Sequence, residues 1–272
     1  MRKIRIAFLL TSLLVAAMPL LAWGQESYTI PVNELTTDLG GHFSVTADKK
    51  LARGLHLAVD AEIRMSDQFA TFGRWQAGAS ITYKVNPYLK VGGGYLFIDK
   101  LKSSGAWSPR HRVYVDVRGG IPIGDWNISL KERLQLTHRN PDDLNIYQNN
   151  PNSLTLKSRL KVEYKGFLSV CPYAYVEART VFNDPACTAS WNGTSFSNYS
   201  FTGYTDAYFN RLRGVVGLEW KLSTQHAIDF SLLGDYCYDK NIDTNAEGTK
   251  LKSLSYDRSY MTNICIGYKF SF

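Results

Sequence analysis

Leu55, Leu57, Val59, Ala61, Ile63 and Met65 are apolar, while His56, Ala58, Asp60, Glu62, Arg64 and Ser66 between them are polar or small. An alternation of period two belongs to a β-strand with one greasy face and one wet face. The pattern returns in 73–85, where Trp75, Ala77, Ala79, Ile81, Tyr83 and Val85 oppose Arg74, Gln76, Ser80, Thr82 and Lys84. It closes the chain, with Tyr260, Thr262, Ile264, Ile266, Tyr268, Phe270 and Phe272 on one phase. A greasy face repeated over almost the whole sequence needs a nonpolar neighbour throughout, and lipid supplies one.

Eleven strands are predicted: 39–50, 55–66, 73–85, 88–100, 109–121, 126–138, 153–164, 168–182, 206–222, 225–239 and 254–272. They exceed the usual globular strand of about 5–6 residues and suit a tilted membrane crossing of about 9–11 residues with its ends. Connections alternate between short ones (51–54, 86–87, 122–125, 165–167, 223–224) and long ones (67–72, 101–108, 139–152, 183–205, 240–253) rich in Asn, Asp, Ser and Gly. Short turns on one side and long loops on the other are the habit of outer-membrane barrels. On the apolar phase, Tyr83, Trp126, Tyr164, Trp220, Tyr268 and Phe270 gather near the short turns. Trp75, Phe97, Tyr208, Tyr236, Tyr238 and Tyr260 gather near the long loops, which makes two belts suited to two membrane interfaces. The expected fold is therefore an all-β, closed antiparallel transmembrane barrel with short periplasmic turns and long extracellular loops.

Bacterial single-chain barrels have even strand numbers. Parity thus asks for a twelfth strand, and Tyr28, Ile30 and Val32 alternating with Thr29, Pro31 and Asn33 supply a weak one. Ten strands, with 39–50 not spanning, is the alternative, and 25–38 forming a periplasmic or lumenal segment is a third. Ahead of this, Arg2, Lys3 and Arg5 precede the apolar run 6–21, and Ala22 and Gly24 place small residues two apart. That is the form of a cleaved export signal over 1–24. Gln25 rather than Cys follows, so a lipid-anchored start is not expected. Residues 25–272 then form one barrel domain, expected in the outer membrane of a Gram-negative bacterium.

The wet phase of the strands carries Arg64, Arg74, Arg110, Arg112, Arg118, Arg133, Arg159, Arg179, Arg211 and Arg213, together with Lys157 and Lys161. Its acids include Asp60, Glu62, Asp116, Glu163, Glu177 and Glu219, and further along Asp229 and Asp235. Bases outnumber acids, so the lumen is expected to be electropositive and to favour a small anionic solute. The competing expectation is a lumen closed by Arg–Glu pairs, leaving a structural or binding barrel.

An outer-membrane hydrolase or acyltransferase is the third class. His42, His56, His111, His138 and His226 are the histidines available, and none falls into a nucleophile–base–orienter set. No catalytic residue, metal site, cofactor or nucleic-acid module is assigned. Four cysteines, Cys171, Cys187, Cys237 and Cys265, sit on different segments, so at most one bridge is expected. Glu132 and His138 fall on the greasy phase, which a local bulge would explain for Glu132. Gly92, Gly93 and Gly94 inside a strand are expected to relieve crowding or allow bending.

Phe72-Gly73-Arg74-Trp75, then Tyr83 through Leu89 leading to Gly92-Gly93-Gly94-Tyr95, with Arg110-His111-Arg112 and the run 156–164, carry a likeness. They resemble an uncharacterised group of Gram-negative outer-membrane proteins catalogued only as a domain of unknown function (family 2490). The resemblance implies a barrel and supplies no catalytic residues. The aromatic last strand also resembles the one that the barrel assembly machinery recognises, so Tyr268, Phe270 and Phe272 are the expected assembly signal. Expected partners are that machinery, outer-membrane lipid and a small anion.

Overall fold

The computed structural model describes residues 30–272. The export signal expected at 1–24, and Tyr28 and Thr29 of the weak first strand, lie outside the described residues. Eleven strands follow in chain order: β1 (Val32–Ala52), β2 (Leu55–Ser66), β3 (Thr71–Asn86), β4 (Leu89–Leu101), β5 (Trp107–Ile123), β6 (Trp126–Arg139), β7 (Asn152–Tyr164), β8 (Val170–Trp191), β9 (Phe196–Lys221), β10 (His226–Thr244) and β11 (Leu251–Ser271). Each pairs with its neighbours in sequence, and β1 pairs with β11 to close the barrel.

The count of eleven corrects the expected twelve, and the alternative of ten. Residues 32–38 are neither a separate strand nor a plug: they lengthen β1 and pair with β11 from Val32↔Tyr256 onward. With an odd number of strands the first and last run the same way, so the closing seam is parallel while the other ten pairings are antiparallel. The expectation of a wholly antiparallel barrel is corrected at that seam. The parity argument fails because β1 has no break where a twelfth strand would have to end: Gly40 and Gly41 sit inside it without interrupting it.

Two connections expected to be long are instead strand. β8 and β9 continue as a ribbon to residues 192–195, where Asn192 Oδ1 accepts from the backbone of Thr194 and Ser195 and Gly193 takes φ +96°. β10 and β11 likewise run on to a turn at 245–250. Runs of Asn, Ser and Gly read as loops here because β8 carries several register shifts beyond Arg179, which break the alternation without ending the strand.

The barrel is apolar outside and charged inside. Val59 is 54% exposed, Val115 61% and Val216 59%, whereas Glu177 is 4%, Asp235 5% and Arg213 8%. Tilted rings mark both rims of the outer face: Trp126 on Tyr164 at 4.9 Å near the short turns, Trp75 on Phe97 at 5.3 Å near the long-loop end. The seam is fastened at its short-turn end, where Lys50 N donates to Phe272 O (3.1 Å) and Phe272 N to Asp48 O (2.9 Å).

Candidate functional site: the lumen

Period-two geometry sends alternate side chains of every strand inward, and register decides which of them become neighbours. A central cavity of about 460 Å³ is lined by Arg64, Arg74, Arg112, Arg133, Arg159 and Arg213, with Glu62 and Glu219 among its acids. His42, Gln76, Gln135, Lys157, Tyr173 and Tyr175 share that lining. Arg110, Arg118, Arg179, Arg211, Asp60, Asp116, Glu163 and Glu177 lie outside that lining. Arg118 approaches Glu163 (3.4 Å), Arg133 donates to Asp116 (2.7 Å), and Arg159 donates through two nitrogens to Glu177 (2.8 and 2.5 Å). Arg179 donates to Asn210 (2.6 Å), and Arg211 lies 3.4 Å from Asp235. Arg110 stands opposite Arg139, and Asp60 opposite Thr46 and Gly78.

Register adds what composition could not. Arg133, Lys157, Arg179 and Arg211 are direct cross-strand neighbours on β6, β7, β8 and β9, one unbroken row of four cations. A second row, Arg64, Arg74 and Lys100, crosses β2, β3 and β4. Like charges directly opposite one another in a sheet are destabilising. Several of these cations are offset by acids: Asp116, directly opposite Arg133, serves it and Lys131, and Asp235, directly opposite Arg213, serves it and Arg211. Glu62 accepts from Arg64 at 2.5 Å. Among the described residues, Arg74 and Lys100 of the second row, Lys157 of the first, and Arg112 and Lys269 of the cavity lining have no carboxylate at ion-pair distance. Arg74 donates to the neutral Gln76 side chain, and Arg112 to Thr137 Oγ1 (2.9 Å).

Aromatic rings hold part of this charge in place. Arg133 lies over Tyr114 at 3.7 Å, Arg159 over Tyr175 at 4.2 Å and Lys161 over Tyr173 at 4.0 Å. Tyr114 has room because of Gly94, where an added Cβ would fall 2.6 Å from its hydroxyl oxygen. Residue-by-residue reading of the sequence misses Lys131, Lys100, Gln135 and the inward tyrosines; alternation with Arg133 places Lys131 and Gln135 on the wet phase, whereas Lys100 is found only through its register with Arg74.

The histidines are dispersed. His56 meets Asp48 (2.9 Å), His111 the Tyr95 hydroxyl (2.6 Å), His138 the Asn152 side chain (2.8 Å) and His226 the Tyr268 hydroxyl (2.5 Å), while His42 lines the cavity. Cys171, Cys237 and Cys265 carry free thiols. Among the described residues no group of three His, Cys, Asp or Glu side chains is placed to hold a metal ion.

The fold and its interior define a closed β-barrel with a charged, partly hollow lumen and an apolar outer wall. The chain belongs to the family described as "Protein of unknown function (DUF2490)", which it matches over residues 39–246. No curated protein matches it. Among solved structures it is similar to the NanC porin, at 14% identity and a TM-score of 0.43, covering 86% of this chain and 99% of that one. It is also similar to the outer-membrane expressed OmpT of Vibrio cholerae, at 13% identity and a TM-score of 0.34, covering 79% and 64% respectively.

Proposed function

We propose that this protein is an outer-membrane β-barrel whose lumen admits small anions in preference to cations. The two cation rows, Arg64–Arg74–Lys100 and Arg133–Lys157–Arg179–Arg211, carry the reading. Such rows oppose folding unless something negative enters between them, and a confined wall of one sign concentrates counter-ions. Membrane placement rests on the exposed apolar belt: a patch far beyond a few hundred Å² in water would drive association, while closure leaves no unpaired backbone edge to meet hydrocarbon. In this reading residues 1–24 direct export from a Gram-negative cytoplasm. Tyr268, Phe270 and Phe272 form the signal for the assembly machinery, on the strand that closes the barrel against β1.

A second reading is favoured by the packing of Arg213, Asp235, Glu177 and Asn210, each less than a tenth exposed, which narrows the lumen toward a closed binding barrel. Planar bilayers separate the two. A salt gradient across reconstituted protein should give a reversal potential of the sign set by anion flow. Zero conductance favours the closed barrel, and cation preference refutes the electropositive passage.

A further inference from the structure

Among the described residues, four basic side chains line one cavity without a carboxylate at ion-pair distance, Lys269 among them, and the other three come from alternate strands. Arg74 projects from β3, Arg112 from β5 and Lys157 from β7, and all three line the 460 Å³ space. Their surroundings deepen the imbalance. Arg112 feels the repulsion of Arg64, Arg110, Arg133 and Arg179, and Lys157 that of Arg112, Arg179 and Arg213, against the attraction of Glu177. Glu177 is itself already committed, accepting from Arg159 at 2.5 Å and standing 3.8 Å from Arg213. The immediate hydrogen-bond partners on this wall are neutral: Gln76 for Arg74 and Thr137 for Arg112. Arg74 Nε is buried without a partner, as is Gln135 Oε1 on the same lumen wall. Unused donors, one unused acceptor and surplus positive charge thus meet in a space large enough for a small solute.

We infer that Arg74, Arg112 and Lys157 form a binding subsite for a small oxyanion carrying at least two negative charges, a phosphate or a polycarboxylate. The inference rests on the electropositive-lumen reading and gives it a specific place. Planar guanidinium groups match the paired oxygens of phosphate and carboxylate, and an ammonium adds a compact third charge. Multiple charge is required because three cations converge there; a single chloride would leave the repulsion largely uncompensated. Gln135 Oε1 supplies an acceptor for a hydroxyl or protonated oxygen of the bound solute.

The test is calorimetric titration of the detergent-folded full-length product with inorganic phosphate and, separately, with citrate, against sodium chloride at matched ionic strength. Saturable binding of one or both is expected. Arg112→Gln and Lys157→Met should each weaken it at least tenfold, and the exposed-site variant Lys221→Gln should leave it unchanged. Lys157→Met should also melt at a higher temperature than the parent, because it removes a repelled charge from the row; Arg112→Gln provides the same binding test should that variant fold poorly. Absence of saturable binding to either probe overturns the subsite, as does binding that survives Arg112→Gln and Lys157→Met together. Bilayer selectivity on the same samples keeps the two ideas apart. Anion preference without saturable binding removes the subsite and leaves the passage, whereas saturable binding without anion preference removes the passage and leaves the subsite.

Discussion

Arg213 on β9 and Asp235 on β10 stand directly opposite each other, and the guanidinium donates to the carboxylate at 2.8 Å with both side chains less than a tenth exposed. Asp235 also lies 3.4 Å from Arg211, so one carboxylate balances two cations next to the long row. Removing a partner from a buried pair leaves an uncompensated charge, at a cost of roughly 3–5 kcal/mol. Asp235→Asn should therefore lower unfolding free energy by about 3 kcal/mol in a denaturant titration of the detergent-folded protein. The double variant Arg213→Met with Asp235→Leu should recover most of that loss. Equal stability of Asp235→Asn and the parent would show that lumen water already screens the pair.

The turn from β2 to β3 carries three successive residues with positive φ, Asp67 (54°), Gln68 (53°) and Phe69 (69°), none of them glycine. Such a conformation costs on the order of 1–3 kcal/mol per residue and persists only where neighbours enforce it. Asp38 is one enforcer, since its carboxylate accepts from the backbone of Asp67 (3.0 Å) and Gln68 (3.4 Å). Gly41 is the other: an added Cβ would fall 2.5 Å from the Phe69 ring. Asp38→Ala should release the turn, seen as amide exchange at residues 67–70 at least tenfold faster while the barrel strands keep their protection.

Most of the wall was legible in the sequence because the outer face demands an apolar residue at every second position, and β2 through β7 obey that demand with few exceptions. What was not legible shares one physical cause. Beyond the apolar belt nothing enforces alternation, so the far ends of β8 and β9, and the last residues of β10, are strands written in loop-like residues. The same absence of constraint hid the start of β1 and with it the odd strand count and parallel seam. For the lumen, phase told which residues face inward, but the cation rows exist only through cross-strand register, which a single chain does not display. Lys157 looks ordinary in sequence; it becomes notable only between Arg133 and Arg179.

Residues 140–151, which join β6 to β7, bridge the rim to the β10–β11 hairpin. Gln148 donates to Asp243 (3.0 Å) and Asn145 to Thr244 Oγ1 (3.2 Å), while Tyr147 packs edge-on against Phe201 and the Tyr204 hydroxyl donates to Ile146 O (2.9 Å). A neutral hydrogen bond is worth about 1 kcal/mol and one to a carboxylate about 1.5–3, so the latch is weak enough to open locally. Asn145→Ala with Gln148→Ala should speed amide exchange in 140–151 by about tenfold and leave the melting temperature within a few degrees of the parent. Unchanged exchange would mean that Tyr147 and its aromatic contacts hold the segment alone.

Glu132 faces outward in the middle of β6, flanked on that face by Leu130 and Leu134, and pairing with β5 and β7 passes through it without a register shift. The expected bulge is thus absent, and the carboxylate truly lies on the apolar wall. Among the described residues its one hydrogen-bond partner is Ser158 on β7, whose hydroxyl donates to Oε2 at 2.6 Å; the other oxygen, Oε1, has none there and is covered. A charge on a lipid-facing wall is destabilising, by up to about 2–4 kcal/mol for basic side chains at the midplane and by less for acidic ones. Glu132→Leu should consequently raise unfolding free energy by roughly 1 kcal/mol, whereas Ser158→Ala should lower it by a similar amount by stripping the carboxylate of its donor. In the double variant the serine should no longer matter, since its partner is gone. Denaturant titrations of the four proteins in one detergent form the cycle, and a Ser158→Ala effect that persists in the Glu132→Leu background would assign the serine to packing instead.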